Sequence, residues 1–146
     1  MPPPVRDLVA DYRQRLVRLG GVALIEVAEA RRVVDDPAHQ QLGLVWEAKR
    51  IRAQIPSPAT LIPLDSSGRN LSSTQLAAQL DLWRQQTETV CFLIGGPDGL
   101  HPDLLTAAPW SLSLGAMTFP HMLVRVLLLE QLYRAHTIVQ RIPYHR

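Results

Sequence analysis

The sequence predicts one α/β domain built on a mostly parallel β-sheet with helices on both faces. Short apolar runs typical of buried strands alternate along the chain with stretches in which apolar residues recur at helical spacing. The chain has 146 residues, 47 % of them hydrophobic and 19 % charged, so residues 1–146 can form a single core. Ligands of such sheets bind beyond the carboxyl ends of the strands.

The first part of the chain predicts a helix, a strand and a second helix. Apolar residues at helical spacing indicate a helix over Val5–Leu19, which Gly20-Gly21 ends. The apolar run Val22–Ala28 indicates a strand. Pro37–Ile55 has helical periodicity and is closed by the prolines that follow it.

The middle of the chain predicts two further buried strands with a helix between them. Ala59–Leu64 is a short apolar run, and Asp65–Gly68 has the composition of a turn. Ser72 or Ser73 can cap a helix that runs to about Gln86. Thr89–Ile94 is the next buried strand, followed by the glycine-rich segment Gly95–Gly99.

The last part predicts a short helix over Pro102–Ala107, a strand over Trp110–Leu114 and a long helix over Pro120–Val139. The long helix is apolar around most of its circumference, which water cannot cover. Either the sheet buries this surface completely or a second subunit shares it, and we favour a dimer.

Composition excludes several classes of protein and leaves others open. A net charge of +2 and a pI near 9.1 permit an RNA partner without requiring one. Cys91 is the single cysteine and lies in an apolar run, so we interpret it as a packing residue. No His/Cys spacing indicates a metal site, and no apolar run predicts a membrane span or a signal peptide, so we expect a cytoplasmic protein.

Three strings in the second half of the chain resemble one family. They are FLIGGPDGL, MTFPHMLVRVLLLEQLYRA and the ending PYHR, and LDSSGRNLSSTQLAAQL fits the same pattern. The chain is similar to the bacterial large-subunit rRNA pseudouridine N3-methyltransferases, within the knotted SPOUT class, from about Pro4 to Arg146. The resemblance implies a C-terminal trefoil knot and a homodimer. It also implies S-adenosyl-L-methionine as cofactor and methylation of a pseudouridine in 23S rRNA within the assembled ribosome.

By motif position the resemblance implies a cofactor pocket beyond the strand ends. Its residues would be Leu64, Gly95, Gly96, Gly115, Ala116, Met117, Thr118, Phe119 and Pro120. Glycines let main-chain atoms come close to an adenine ring, and apolar side chains can wall it. Taken alone, the Gly95–Gly99 segment also fits a tight strand-to-helix turn, and less well a phosphate-binding loop.

The C-terminal tail combines residue types that the implied reaction needs. N3 of a uracil-type ring carries a proton at neutral pH, which His145 could accept while Arg146 stabilises charge and Tyr144 stacks on a base. The alternative for such a tail is a frayed, solvated end. Elsewhere, six basic residues could form a face for rRNA or be ordinary solvated charge: Arg31, Arg32, Lys49, Arg50, Arg52 and Arg69.

The sequence departs from the family at its start. Family members begin with a β-strand and a Gly-Lys turn ahead of the segment that matches Pro4, whereas here Met1-Pro2-Pro3-Pro4 opens the sequence. The first strand is therefore expected to be missing. A start codon assigned too far downstream is the favoured explanation, and a truncation that lowers stability is the other.

Two other functions compete with the family's reaction. One is a non-catalytic ribosome-binding module that keeps the same scaffold. The other is a knotted methyltransferase that acts on another RNA position.

Overall fold

The computed structural model describes residues 1–86 and 89–146, which form five α-helices and three strands. The helices are α1 (Pro3–Leu16, extended by a 3₁₀ turn over Val17–Leu19), α2 (Pro37–Gln54), α3 (Ser73–Gln86), α4 (Pro102–Thr106) and α5 (His121–Val139). The strands are β1 (Thr60–Asn70), β2 (Val90–Leu93) and β3 (Leu112–Ser113). All five predicted helices are present, with boundaries within about two residues.

The three strands form a parallel sheet in the order β2-β1-β3. Thr60 to Pro63 of β1 lie opposite Val90 to Leu93 of β2, and Leu64 lies opposite Leu112 of β3. The prediction of a parallel sheet is confirmed. Because all three strands run the same way, their carboxyl ends meet at one edge.

The prediction of a strand over Val22–Ala28 is wrong. These residues are extended but belong to no sheet, since among the described residues no strand pairs with them. Val22 and Leu24 still pack against the core. The apolar pattern therefore placed the segment against the core correctly, but a strand also requires a neighbouring backbone, which the pattern does not report.

The predicted turn over Asp65–Gly68 is not a connection between elements but an irregular part of β1. Leu64 and Arg69 both pair with Leu112, so the intervening residues bulge out of the ladder. The Ser67 N–H donates to Asp65 Oδ2 at 3.2 Å. Bonds of this kind are common in turns, which is why the composition of the segment predicted one. A Cβ on Gly68 would lie 2.6 Å from the Ser111 carbonyl oxygen, so only glycine fits here.

Of the two serines predicted as possible caps of α3, Ser72 is the cap. The Gln75 N–H donates to Ser72 Oγ at 3.2 Å, and the Ser72 N–H donates to Gln75 Oε1 at 2.8 Å. This reciprocal capping box satisfies two main-chain donors that the first turn leaves without helical partners. The helix therefore begins soon after β1, and the connection between the two elements is short.

Helices cover both faces of the sheet, as predicted. One core cluster joins α1, α3 and α5 to Ile62 of β1 and Leu112 of β3, whereas a second joins Ala48 of α2 and Leu104 of α4 to Leu93. The side chains of β2 alternate between these clusters, with Phe92 in the first and Cys91 in the second. Cys91 is thus a packing residue, and burial raises the pKa of its thiol. The trefoil knot stays a prediction.

Two leucines of α3 test this assignment of core and surface. Leu80 is 4 % exposed and Leu82 is 46 % exposed. We expect Leu80→Ala to lower the free energy of unfolding by about 2–5 kcal/mol, because it removes buried apolar atoms and leaves a cavity. Leu82→Ala should change it by less than about 1 kcal/mol. Urea denaturation followed by circular dichroism measures both, and equal losses would contradict the packing described here.

Candidate functional site

The edge where the three strands end carries the residues singled out for a cofactor. Leu64 lies at the last regular pair between β1 and β3, the Gly95–Gly99 turn follows β2, and the segment from Gly115 to Pro120 follows β3. Parallel pairing therefore places all three segments at the same edge of the sheet. This is the place that the alternation of strands and helices predicts for a ligand.

The two glycines after β2 have different roles. A Cβ on Gly95 would lie 2.5 Å from the Gly99 carbonyl carbon, so this residue must be glycine for the turn to close. The Gly99 N–H then donates to the Gly96 carbonyl at 3.0 Å. A Cβ on Gly96 would meet nothing nearer than the Glu29 Cγ, at 3.7 Å. The tight turn is confirmed, and the Gly96 Cβ position has room for a methyl group in ordinary contact with the Glu29 and Glu47 side chains.

The segment from Gly115 to Pro120, called here the tip loop, connects β3 to α5. The buried Ser113 hydroxyl accepts the Gly115 N–H at 3.1 Å and lies 3.2 Å from the Ser66 carbonyl, which fixes the start of the loop against the β1 bulge. At the other end, His121 Nε2 lies 3.1 Å from Glu29 Oε1. Since Glu29 also lies beside Gly96, the tip loop spans the edge from β3 to β2.

The tip loop offers the surface that a flat, largely apolar ring needs. Gly115 has a φ of +134°, and a Cβ there would meet nothing within 4 Å. Met117 is 74 % exposed, while Leu64 and Phe119 are half-buried. Accessible main chain beside apolar side chains fits an adenosyl group. The residues present are therefore compatible with the implied cofactor.

A cavity of about 440 Å³ lies nearby but is not centred on these residues. Its lining includes Gly95, Gly96 and His121, and it extends along β2 between α2 and α5. Leu64 and the tip loop are not among its lining residues. We therefore distinguish this cavity from the surface at the strand ends.

The C-terminal tail is folded back on α5, so the alternative of a frayed end is wrong for Tyr144. The Tyr144 hydroxyl donates to Glu130 Oε1 at 3.1 Å, and its ring centroid lies 4.7 Å from that of Tyr133. Arg134 donates from Nε to the same Glu130 oxygen at 3.0 Å and lies over the Tyr144 ring. The pairing of Arg134 with Glu130 is the one that their four-residue spacing predicts.

His145 and Arg146 are exposed, and only His145 has a described polar contact. Its Nδ1 lies 3.2 Å from Arg134 Nη1. Burial, together with hydrogen bonds to Tyr12 and Glu130, raises the pKa of Tyr144 to about 12. The phenol therefore stays protonated at neutral pH and keeps donating to Glu130, which anchors the residue before His145.

Within one chain the tail and the tip loop lie apart. Arg134, which contacts the tail, is thirteen residues after His121 along α5. At 1.5 Å per residue this corresponds to about 20 Å along the helix axis. The implied reaction needs both sets of residues near the same base, but a single copy does not bring them together.

The sequence predicts that Arg125, an arginine on an apolar helix, meets a carboxylate, RNA or a second subunit, but it did not identify the glutamates that contact the start of α5. Besides the contact of His121 with Glu29, Arg125 Nη1 lies 3.1 Å from Glu26 Oε1. The signal was present, because an arginine on an apolar helix requires a partner and two glutamates interrupt the apolar segment around Val22–Ala28. The Ala30 N–H also donates to Glu47 Oε1 at 2.8 Å, which ties the end of this segment to α2.

The six basic residues considered for rRNA are not all free to bind phosphate. Arg32 pairs with Asp35 and Asp98, and Arg52 lies 3.7 Å from Asp103. Arg50 lies over the Trp46 ring and Arg69 over the Trp110 ring.

Within the described residues, no three His, Cys, Asp or Glu side chains form a group that could hold a metal ion. In the same part of the chain, every helix is too short or too polar to cross a membrane.

Comparison with known proteins confirms the resemblance over nearly the whole chain. The family model described as "Predicted SPOUT methyltransferase" matches residues 1–145. A protein of Magnetococcus marinus named "Ribosomal RNA large subunit methyltransferase H" is 43 % identical over 148 residues, covering 100 % of this chain and 92 % of the relative. Proteins with the same name from Rhodopseudomonas palustris and Neisseria gonorrhoeae are 45 % and 44 % identical, covering 98 % and 100 % of this chain and 91 % and 92 % of the relatives.

The anchoring of the tail by Tyr144 can be measured by titration. The Tyr144 pKa of about 12 lies above the ordinary value of 10.0, so we expect its phenolate absorbance to appear only in strongly alkaline solution. Glu130→Gln should move this pKa down, because it removes the negative charge beside the phenol. The signal is the ultraviolet difference between each protein and its Tyr144→Phe counterpart. An ordinary tyrosine titration in the unsubstituted protein would show that the tail is free.

Proposed function

The chain belongs to the SPOUT methyltransferase family, and from that premise we propose that it methylates N3 of a pseudouridine in 23S rRNA, using S-adenosyl-L-methionine. The observation that carries the proposal is the edge at which the tip loop, Gly96 and Leu64 meet. Relatives that share 43–45 % of its residues and are named as large-subunit rRNA methyltransferases support rRNA as the substrate. We propose the assembled ribosome, in the cytoplasm, as the setting.

The residues at the strand ends would hold the cofactor. Main-chain groups of Gly96 and the tip loop can satisfy the polar edge of an adenine, and Leu64, Met117 and Phe119 can cover its faces. Gly115, Ala116, Thr118 and Pro120 contribute accessible backbone, while Gly95 keeps the turn closed. The bound cofactor supplies an electrophilic methyl group. The protein's contribution is to orient the base for an in-line displacement.

The tail would prepare the attacking nitrogen. His145 is exposed and can accept the N3 proton, and the adjacent Arg146 can stabilise the negative charge left on the flanking carbonyl oxygens. Tyr144 has a different role from the base stacking considered for it, since its ring already packs against Tyr133 and Arg134. We propose Tyr144 as a positioning residue that fixes where His145 begins.

Two copies of the chain are needed to complete this site. Because about 20 Å separates the tail from the tip loop along α5, the tail of one copy would serve the tip loop of the other. Leu123 and Leu127 lie one turn apart near the start of α5 and are 45 % and 40 % exposed. With the exposed Met117 they form an apolar surface beside the tip loop, which a second copy would cover.

Methyl transfer from labelled S-adenosyl-L-methionine tests the proposal. Ribosomes lacking the modification should accept label at one pseudouridine, and free 23S rRNA should accept much less. Label at another nucleotide would favour a different RNA target. A folded protein that binds ribosomes but neither the cofactor nor label would instead be a non-catalytic ribosome-binding module.

Variants separate binding of the cofactor from transfer in the same assay. Gly96→Leu should abolish cofactor binding in calorimetric titration, because a side chain larger than the methyl group that fits there would displace its neighbours and cover the Gly96 backbone. His145→Ala should leave cofactor binding unchanged and slow transfer by about 10²–10⁴-fold, the contribution usual for a general base. Gln140→Ala, an exposed change at the end of α5, is the matched control and should have no effect on either. Equal losses of binding and transfer in His145→Ala would contradict its role as a base.

The apolar surface at the start of α5 predicts the oligomeric state. Leu123→Asp combined with Leu127→Asp should convert a dimer into a monomer, because the charges would be buried without partners. The mass measured by light scattering after size exclusion should halve, and methyl transfer should be lost with it. Val139→Asp, on the same helix and 42 % exposed, is the matched control and should leave the mass unchanged. A wild-type monomer would contradict the two-copy site.

A further inference from the structure

Tyr12 of α1 lies against the C-terminal tail. The residues that α1 turns toward the core are Val5, Val9, Tyr12 and Leu16, and only Tyr12 among them ends in a polar group. Tyr12 is half-buried, and hydrogen bonding with its hydroxyl is one of the causes that raise the pKa of Tyr144. A tyrosine on an apolar face usually finds a partner for its hydroxyl, and here that partner belongs to the tail.

Tyr133 of α5 connects the two other tyrosines. Its ring centroid lies 6.3 Å from that of Tyr12, with the two planes tilted by 52°, and 4.7 Å from that of Tyr144, which it meets edge to face. Both separations lie in the range in which aromatic rings attract one another. Tyr12, Tyr133 and Tyr144, called here the tyrosine cluster, therefore join α1, α5 and the tail.

Arg15 covers the α1 side of the tyrosine cluster. Its guanidinium carbon lies 5.3 Å from the centroid of Tyr12 and 5.6 Å from that of Tyr133. Asp11, one turn earlier in α1, holds the guanidinium, with 2.9 Å between Asp11 Oδ2 and Arg15 Nη2. A cation near two aromatic rings is attracted by both. Arg15 therefore helps to hold the Tyr12 and Tyr133 rings together, although 44 % of its side chain is exposed.

Arg134 covers the tail end of the tyrosine cluster in the same way. Its guanidinium carbon lies 4.8 Å from the centroid of Tyr144, and Glu130, one turn earlier in α5, holds its Nε. Arg134 Nη1 also lies 3.2 Å from His145 Nδ1. Contacts therefore run from Arg15 in α1, through the tyrosine cluster and Arg134, to His145.

We propose that Tyr12 and Arg15 are positioning residues for methyl transfer, because they hold the tail through the tyrosine cluster and so fix where His145 stands. The inference rests on the proposed function, in which His145 accepts the N3 proton at the tip loop of a second copy. Neither Tyr12 nor Arg15 belongs to the strand ends or to the tip loop. Loss of either contact should therefore slow methyl transfer without weakening cofactor binding.

Three substitutions test this role in the ribosome methylation assay. Tyr12→Phe removes the hydroxyl and keeps the ring, and Arg15→Met removes the charge and keeps most of the stem. Arg18→Met, an exposed change in the 3₁₀ turn after α1, is the matched control. The first two should lower kcat by about 5- to 10²-fold, the larger figure being what a misplacement of about 1 Å can cause. They should leave the calorimetric Kd for S-adenosyl-L-methionine unchanged, and the control should change neither quantity. Weaker cofactor binding with an unchanged kcat would overturn the proposal.

The hold on the tail can also be measured without methyl transfer. Nuclear magnetic resonance of tyrosine labelled with carbon-13 at Cζ follows each of the three tyrosines separately. Tyr12→Phe should move the pKa of Tyr144 down from about 12, because the hydrogen bonding with Tyr12 is lost. It should also speed hydrogen exchange of the tail amides, whereas Arg18→Met should affect neither. An unchanged Tyr144 titration in Tyr12→Phe would contradict the proposal, whether or not the protein methylates rRNA.

Mixed dimers assign the effect to the tail of the same chain. Gly96→Leu stops one copy from binding the cofactor, so transfer occurs only at the tip loop of the other copy. The tail that serves this tip loop belongs to the Gly96→Leu copy. Tyr12→Phe placed in the Gly96→Leu copy should therefore lower transfer as much as it does in the homodimer, whereas Tyr12→Phe placed in the other copy should have no effect.

The other outcomes of the mixed-dimer experiment are equally informative. Equal losses in the two arrangements would overturn the proposal, because a general contribution of Tyr12 to folding lowers both. The reverse pattern would support Tyr12 as a positioning residue and would show that each tail serves the tip loop of its own copy, which contradicts the two-copy site alone.

Discussion

Parallel pairing of β1 with both of its neighbours is the constraint on which the rest of the molecule depends. It places the ends of three strands at one edge, although these strands come from residues far apart in the sequence. The three connections that leave this edge differ in conformation, yet they lie together because the strands before them do. Polar and glycine-rich residues concentrate there since the ladder itself is covered by helices on both faces. Strand direction, more than any one side chain, therefore determines where the site lies.

Helix α5 begins at this edge and contacts several parts of the protein. Leu128, Leu129 and Leu132 are buried in the core, whereas Leu123 and Leu127 are exposed near its start. Between these surfaces, Glu130 holds both Arg134 and Tyr144 and so fixes the tail. Because Leu123 and Leu127 stay exposed, one chain does not cover the whole apolar surface of this helix. That surface supports the proposed dimer, and the length of α5 sets the distance between tip loop and tail that the dimer would have to span.

Sequence reasoning predicted the helices well, because their periodicity and caps are local signals. Ser72 with Gln75 is one example, and the pairing of Glu130 with Arg134 is another. It failed at Val22–Ala28 and Asp65–Gly68, where strand pairing decides the outcome. An apolar run states that a segment is buried, but pairing depends on which backbone lies alongside, and a bulge depends on the register with β3. The family motifs predicted which segments form the candidate site. They did not predict the distance from the tip loop to the tail, because that distance depends on where the tail packs along α5.

The extended segment of residues 22–28 shows which interactions hold a part of the chain that belongs to no sheet. Glu26 within the segment and Glu29 just after it contact α5 through side chains that are 56 % and 51 % exposed, so each contact contributes at most about 1 kcal/mol. Val22 and Leu24 are half-buried against the core and together contribute more, since fully burying one such side chain is worth about 1.5–3 kcal/mol. The segment is therefore held mainly by apolar packing against the core, and the two glutamate contacts add less.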